Sequence, residues 1–193
     1  MSKLVKLKSI LTYEGLSSGY SFRGKIKNDS KGTIEVVQLK NIKDDYLTIN
    51  NNCVKVDSKK IKERHYLSVG DILFIAKGSN NFALPFYQKS KTAIASSAFF
   101  VLKVDTQIAD PNYIAWYINQ KKVQNYFKTN SGGTYTMSIN KKTLEEAPII
   151  LPNIEKQRTI AKIAKLYHKE QQLYKRIATL KKETTQYQLL KSL

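Results

Sequence analysis

The chain has 193 residues, 41% of them hydrophobic, with seven Phe and twelve Tyr, which suffices for one domain of about 150 residues and a further element. A formal charge of +18 points to a polyanionic partner, with nucleic acid first. One Cys and two His exclude a disulfide framework and a Cys-based zinc site within one chain, and no apolar run approaches the roughly 20 residues of a membrane span. The N-terminal residues do not read as a signal peptide, so the expected compartment is the cytoplasm and no membrane partner is expected.

Residues 1–10 alternate weakly and read as a first strand or extended lead-in. Residues 15–24 form a polar, glycine-bounded loop in which Gly19 and Gly24 permit tight backbone. The run 33–39 is β-branched and reads as a strand; Gly70-Asp71 is a turn; residues 72–76 have the composition of a buried strand. A polar loop, 77–81, follows. Residues 92–95 lead into a further strand at 98–104. The first hundred residues are thus mostly strands joined by polar, basic loops.

Asp110 and Pro111 have the cap and first-turn chemistry of a helix, and Tyr113, Trp116, Tyr117, Val123 and Phe127 give it one aromatic inner face through residues 128–130. Residues 131–136 form a loop of small hydrogen-bonding groups. Asn140 is placed to cap a single turn through residue 146, and residues 148–151 are extended.

Pro152 and Asn153 then mark the start of a helix with no later Pro or Gly, about 40 residues and about 60 Å long. Leu166, Leu173, Leu180 and Tyr187 recur every seven residues, and Ile163, Glu170, Ile177 and Thr184 complete a 3-4 seam with polar breaks at Glu170 and Thr184. The helix exceeds the diameter of the preceding domain, so the seam calls for a partner helix and not for its own domain. From Asn153 to Leu193 ten basic and three acidic residues give +7, and the remainder carries +11. Both parts are therefore basic. The fold class is α+β: a β-rich globular domain, residues 1–151, followed by one long coiled-coil helix, residues 152–193.

No catalytic constellation stands out. Asp110-Pro111-Asn112-Tyr113 approaches the Asp-Pro-Pro-Tyr signature of amino-methyltransferases, yet Asn112 replaces the second Pro and no Gly-rich cofactor loop follows an early strand. Gly132-Gly133-Thr134 lacks the Gly-Lys-Ser/Thr of a phosphate cradle. His65 and His168 read as surface histidines. The basic loops suit nucleic acid better. Ser21, Arg23, Lys25 and Lys27 occupy one; Lys77, Ser79, Asn80 and Asn81 a second; Lys89 and Lys91 a third; Ser131, Gly133, Thr134 and Tyr135 a fourth. Lys neutralises phosphate, while Arg and Asn can pair with base edges.

The chain resembles the specificity subunits of type I restriction–modification systems. The resemblance lies in Gly19-Tyr20-Ser21-Phe22-Arg23-Gly24 with Val36-Val37-Gln38, in Val69-Gly70-Asp71-Ile72-Leu73-Phe74, and in residues 111–114 and 117–119. It continues in Ser131-Gly132-Gly133-Thr134 and in Pro148-Ile149-Ile150-Leu151-Pro152 with Gln157, Ile160 and Ala161. Lys156 departs from it, because a Glu commonly precedes the Gln.

Members of that family typically carry two target-recognition domains and two conserved helices paired antiparallel, and one of each is present here. The resemblance therefore implies a half-subunit: a homodimer through an antiparallel coil, with recognition domains at its two ends, that reads a bipartite, palindromic site in double-stranded DNA, with Glu170 available to a Lys of the other copy. It implies a chain that catalyses nothing itself. Catalysis would fall to an adenine methyltransferase subunit and, through that complex, a restriction subunit; S-adenosylmethionine, ATP and magnesium would be theirs. The other reading is a basic dimeric nucleic-acid-binding regulator unrelated to restriction.

Overall fold

In the computed structural model, residues 2–43, 48–50, 52–57, 61–77, 81–87, 92–131 and 138–192 are described. Among them run nine strands: β1 (Lys3–Lys6), β2 (Leu11–Ser18), β3 (Ile34–Val37), β4 (Val54–Val56), β5 (Ile72–Ile75), β6 (Ala83–Pro85), β7 (Ala93–Ala95), β8 (Phe99–Val104) and β9 (Pro148–Leu151). Four α-helices accompany them: α1 (Pro111–Ile118), α2 (Lys121–Asn130), α3 (Lys141–Glu145) and α4 (Ile154–Lys191). The α+β expectation holds.

A four-stranded antiparallel sheet, in the order β2-β8-β5-β6, is the central layer. All four residues of β5 are buried, which explains a continuous apolar run in place of alternation. Ile72 and Phe74 belong to the cluster with Tyr113, Ile114 and Phe127 on the helix side. Leu73 and Ile75 belong to the cluster on the other face, with Val37, Ala93 and Ala95 of a smaller sheet ordered β4-β3-β7. In that sheet β3 runs parallel to β7 and antiparallel to β4. A two-stranded ribbon, β1 with β9, joins the first residues to the last before α4.

Three expected caps are present. The Tyr113 N–H donates to Asp110 Oδ1 (3.0 Å), the Thr143 N–H to Asn140 Oδ1 (2.8 Å) and the Lys156 N–H to Asn153 Oδ1 (2.9 Å). The helix expected over 111–130 is in fact two. Asn119 pairs its amide with both backbone groups of Ala83 (2.8 Å each), and Gln120 is extended, so the chain leaves α1 before α2 begins. Residues 15–18 are the end of β2 and not loop; the Leu16 side chain is buried and Ser18 pairs with Phe100.

Helix α4 spans 38 residues, about 57 Å. Its first turns pack on the domain, against α1. Gln157 and Ala161 are buried and Ile160 packs on the helix-side cluster. The Gln157 amide is fully used: Oε1 accepts from the Asp110 N–H (2.9 Å), and Nε2 donates to the carbonyls of Ile108 (2.9 Å) and Pro152 (2.8 Å). Beyond that base the seam stands open. Ile163, Leu166, Leu173, Ile177, Leu180 and Tyr187 are each 43% exposed or more.

Candidate nucleic-acid interface

The stretch from Gly19 to Thr33 crosses one face of the small sheet as an extended strap. It is pinned at its start, where the Gly19 N–H donates to Phe99 O (2.9 Å) and the Tyr20 N–H to Ala95 O (2.7 Å). It is pinned again at its end by Thr33 N–H to Val56 O (3.1 Å). Glycine is required at 19, because a Cβ there would lie 2.1 Å from the Ser96 carbonyl oxygen. Near the far end the Asp29 N–H donates to Lys55 O (2.9 Å) and the Lys55 N–H to Asn28 Oδ1 (3.0 Å), which fastens the turn to β4.

Side chains along the strap alternate in direction. Tyr20, Phe22 and Ile26 pack onto the third apolar cluster, Ile34, Val36, Ile61 and Ile94. Ser21, Arg23, Lys25 and Lys27 point outward and are exposed. The apolar anchors thus hold a short row of cations up to solvent, and among the described residues no carboxylate pairs with Arg23, Lys25 or Lys27. Such a row matches the regular charge of a phosphate backbone.

A neighbouring segment adds to it. The 3-10 turn Glu63–His65 places the His65 ring edge-on to Tyr20 (5.2 Å between centroids), with Lys62 and Arg64 alongside. Burial, then Arg64 and Lys62, push the His65 pKa below its ordinary value, so the ring is neutral at pH 7. Sequence reasoning overlooked Lys62 and Arg64. The only signal available was their basic type, and the contact that brings them to the strap is made through Tyr20.

The second and fourth loops meet. Lys77 forms a β-bridge with Ser138, and the Ile139 N–H donates to Ala76 O (3.1 Å), so the start of one loop lies beside the end of the other. Lys77 is exposed. Ser131 ends α2, and its hydroxyl donates to the Lys128 carbonyl (3.2 Å).

A family model for the type I restriction modification DNA specificity domain matches residues 2–182. The chain belongs to that family. Three solved structures agree on the fold of this specificity domain. The HsdS subunit from Thermoanaerobacter tengcongensis aligns with TM-score 0.65 at 16% identity, covering 89% of this chain and 43% of that one. A chain from a structure concerned with assembly and conformational transition of the type I R-M system gives TM-score 0.70 at 16% identity, covering 95% and 46%. The S subunit from M. genitalium gives 0.56 at 16% identity, covering 88% and 39%. The chain thus spans less than half the length of each. Among curated proteins, none matches the sequence.

One expected contact of the specificity domain is corrected. Asn81 is 3% exposed; its Nδ2 donates to Ile75 O (2.9 Å), and its own carbonyl accepts from Gln124 Nε2 (2.9 Å). It braces the β5–β6 turn and is not free to read a base. Ser79, Asn80, Lys89, Lys91, Gly133, Thr134 and Tyr135 lie outside the described residues.

The Asp110–Tyr113 motif is spent on the fold: Asp110 caps α1, and the Tyr113 hydroxyl donates to Ile150 O (2.6 Å). Burial raises the Tyr113 pKa to about 12. Among the described residues no three His, Cys, Asp or Glu side chains converge as metal ligands, and no helix is long and apolar enough to cross a membrane.

Proposed function

We propose that this chain is a half-length specificity subunit that reads DNA as a homodimer. The observation that carries the reading is the pairing of an exposed basic strap on the domain with an unpartnered heptad seam on its helix. The strap supplies a sequence-independent hold on phosphate, and base reading falls to residues around it and around Lys77. The seam doubles the domain. Two identical heads related by a two-fold axis read a palindromic site in two parts, with a spacer set by the stalk.

In this reading the chain catalyses nothing. The outer faces of α4 receive an adenine methyltransferase subunit, which brings S-adenosylmethionine, and a restriction subunit joins through that complex with ATP and magnesium. Support comes from the family match and from a chain that spans less than half of the S-subunit structures it resembles.

The test is to co-express the chain with adenine methyltransferase candidates and map adenine methylation across the host DNA. The expected result is methylation at one bipartite palindrome, lost when Arg23, Lys25 and Lys27 are replaced together by Ala. Normal methylation by the methyltransferase in the absence of this chain would overturn the reading.

A further inference from the structure

A specificity subunit needs side chains that distinguish bases, and the cations at this interface are not alike. Arg23, Lys25 and Lys27 are exposed, and among the described residues no carboxylate pairs with them. Side chains of that kind follow a phosphate backbone by charge and carry no sequence information. Arg64 differs. Its Nε donates to Nε2 of His65 (3.5 Å), so one edge of the guanidinium is tethered within its own turn.

The tether has a fixed base. His65 sits edge-on to Tyr20 (5.2 Å between centroids), and Tyr20 sits edge-on to Phe22 (4.8 Å). The Tyr20 N–H holds that residue to Ala95 O (2.7 Å). The turn is fastened on both sides as well. Ile61 and Tyr66 pack on the third apolar cluster, Tyr66 bridges Ile94, and the Leu67 N–H donates to Ala93 O (2.8 Å). His65 is half-buried; burial and the two neighbouring cations keep its ring neutral, which leaves Nε2 its lone pair.

We infer that Arg64 reads a guanine base and that His65 is the residue that positions it. This rests on the DNA-reading function proposed above and names a residue for it. With Nε engaged, the two terminal nitrogens of Arg64 remain, and neither has a partner among the described residues. They form the planar fork that pairs with O6 and N7 of guanine in the major groove. A fork tethered in advance loses less side-chain freedom on binding than an untethered arginine does. The strap and Arg64 thus divide the work: the strap's cations hold the backbone, and the tethered guanidinium carries information. Lys62, exposed in the same segment and without a carboxylate partner among the described residues, belongs with the strap.

The test maps adenine methylation across host DNA with the full chain co-expressed beside the methyltransferase that it directs. Arg64→Lys keeps the charge and removes the fork. The expected result is a site relaxed at one guanine in each half, where the preference for guanine falls about tenfold while other positions keep theirs. A phosphate contact predicts an unchanged site in Arg64→Lys, and that outcome overturns the inference. So does a uniform loss of methylation at every sequence, or a parent site without a G·C pair. His65 separates positioning from packing. His65→Phe keeps a ring against Tyr20 and lacks the acceptor; His65→Gln keeps an acceptor and lacks the ring. A positioning role predicts that the Phe variant relaxes the same guanine and that the Gln variant retains most of the preference. The opposite order, with Phe silent and Gln damaging, overturns the role given to His65. A parent chain that directs no sequence-specific methylation would instead remove the specificity reading itself, and this inference with it.

Discussion

The two ends of α4 obey different rules. In its first turns Gln157 and Ala161 are buried, every polar atom of the Gln157 amide has a partner, and the helix is part of the domain. From Ile163 onward the same helix presents Leu, Ile and Tyr to solvent with nothing of its own chain to cover them. Burial at the base is completed by folding, whereas the apolar residues of the stalk remain exposed. In the proposed homodimer, substitutions in the base therefore act on stability and substitutions in the exposed seam on association.

That division can be broken most sharply at the stalk. Leu173→Glu with Ile177→Glu places four carboxylates in the central layers of a dimer and should weaken association about a thousandfold, about 4 kcal/mol. Analytical ultracentrifugation would read this, and the thermal midpoint of the head should not move. The reverse case is Gln157→Leu. It orphans the Asp110 N–H and the Ile108 and Pro152 carbonyls, with an expected loss of about 3 kcal/mol in urea denaturation.

Arg23→Ala tests the head alone. Its removal should flatten the slope of log affinity against log salt by about 0.9, the value for one phosphate contact on duplex DNA, with folding and oligomeric state unchanged. In the proposed homodimer, Glu170→Leu should tighten association a few-fold, because a charged seam residue costs stability.

The smallest effect belongs to Glu146, whose carboxylate meets Lys6 and Lys8 and is held down to about 2 from an ordinary 4.5. A depressed carboxylate contributes above its unfolded value and is lost as protons bind. Stability should therefore decline as the pH falls from about 4.5 toward 2, and Glu146→Gln should remove that part of the decline in denaturation midpoints measured against pH.

What could be read from the sequence was local chemistry. Asp110, Asn140 and Asn153 cap helices because an Asx side chain before a helical run has one obvious use, and the seven-residue spacing of α4 needs no tertiary knowledge. The misreadings all depended on distant partners. Asn119 breaks a helix only because Ala83 lies 36 residues away in the chain and beside it in space. Asn81 looked like a loop amide open to DNA, yet Ile75 and Gln124 enclose it. The strap was legible as basic but not as alternating, since its inward residues are defined by β3, β4 and β7, and β4 itself was too short to recognise. Lys62 and Arg64 join the basic face through His65 and Tyr20, and through Ile61 and Tyr66 packed on the same apolar cluster.

The Gln157 amide has a mechanical consequence. Because it clasps the turn before α1 and the entry to α4 together, it resists swivelling of the shaft against the head, and a doubled molecule would behave as a stiff caliper. Duplex DNA turns once in about 10.5 base pairs, so two jaws fixed in heading would accept half-sites only at a matching angular phase. A site with correct bases but one pair too many between its halves would then be refused by torsion alone.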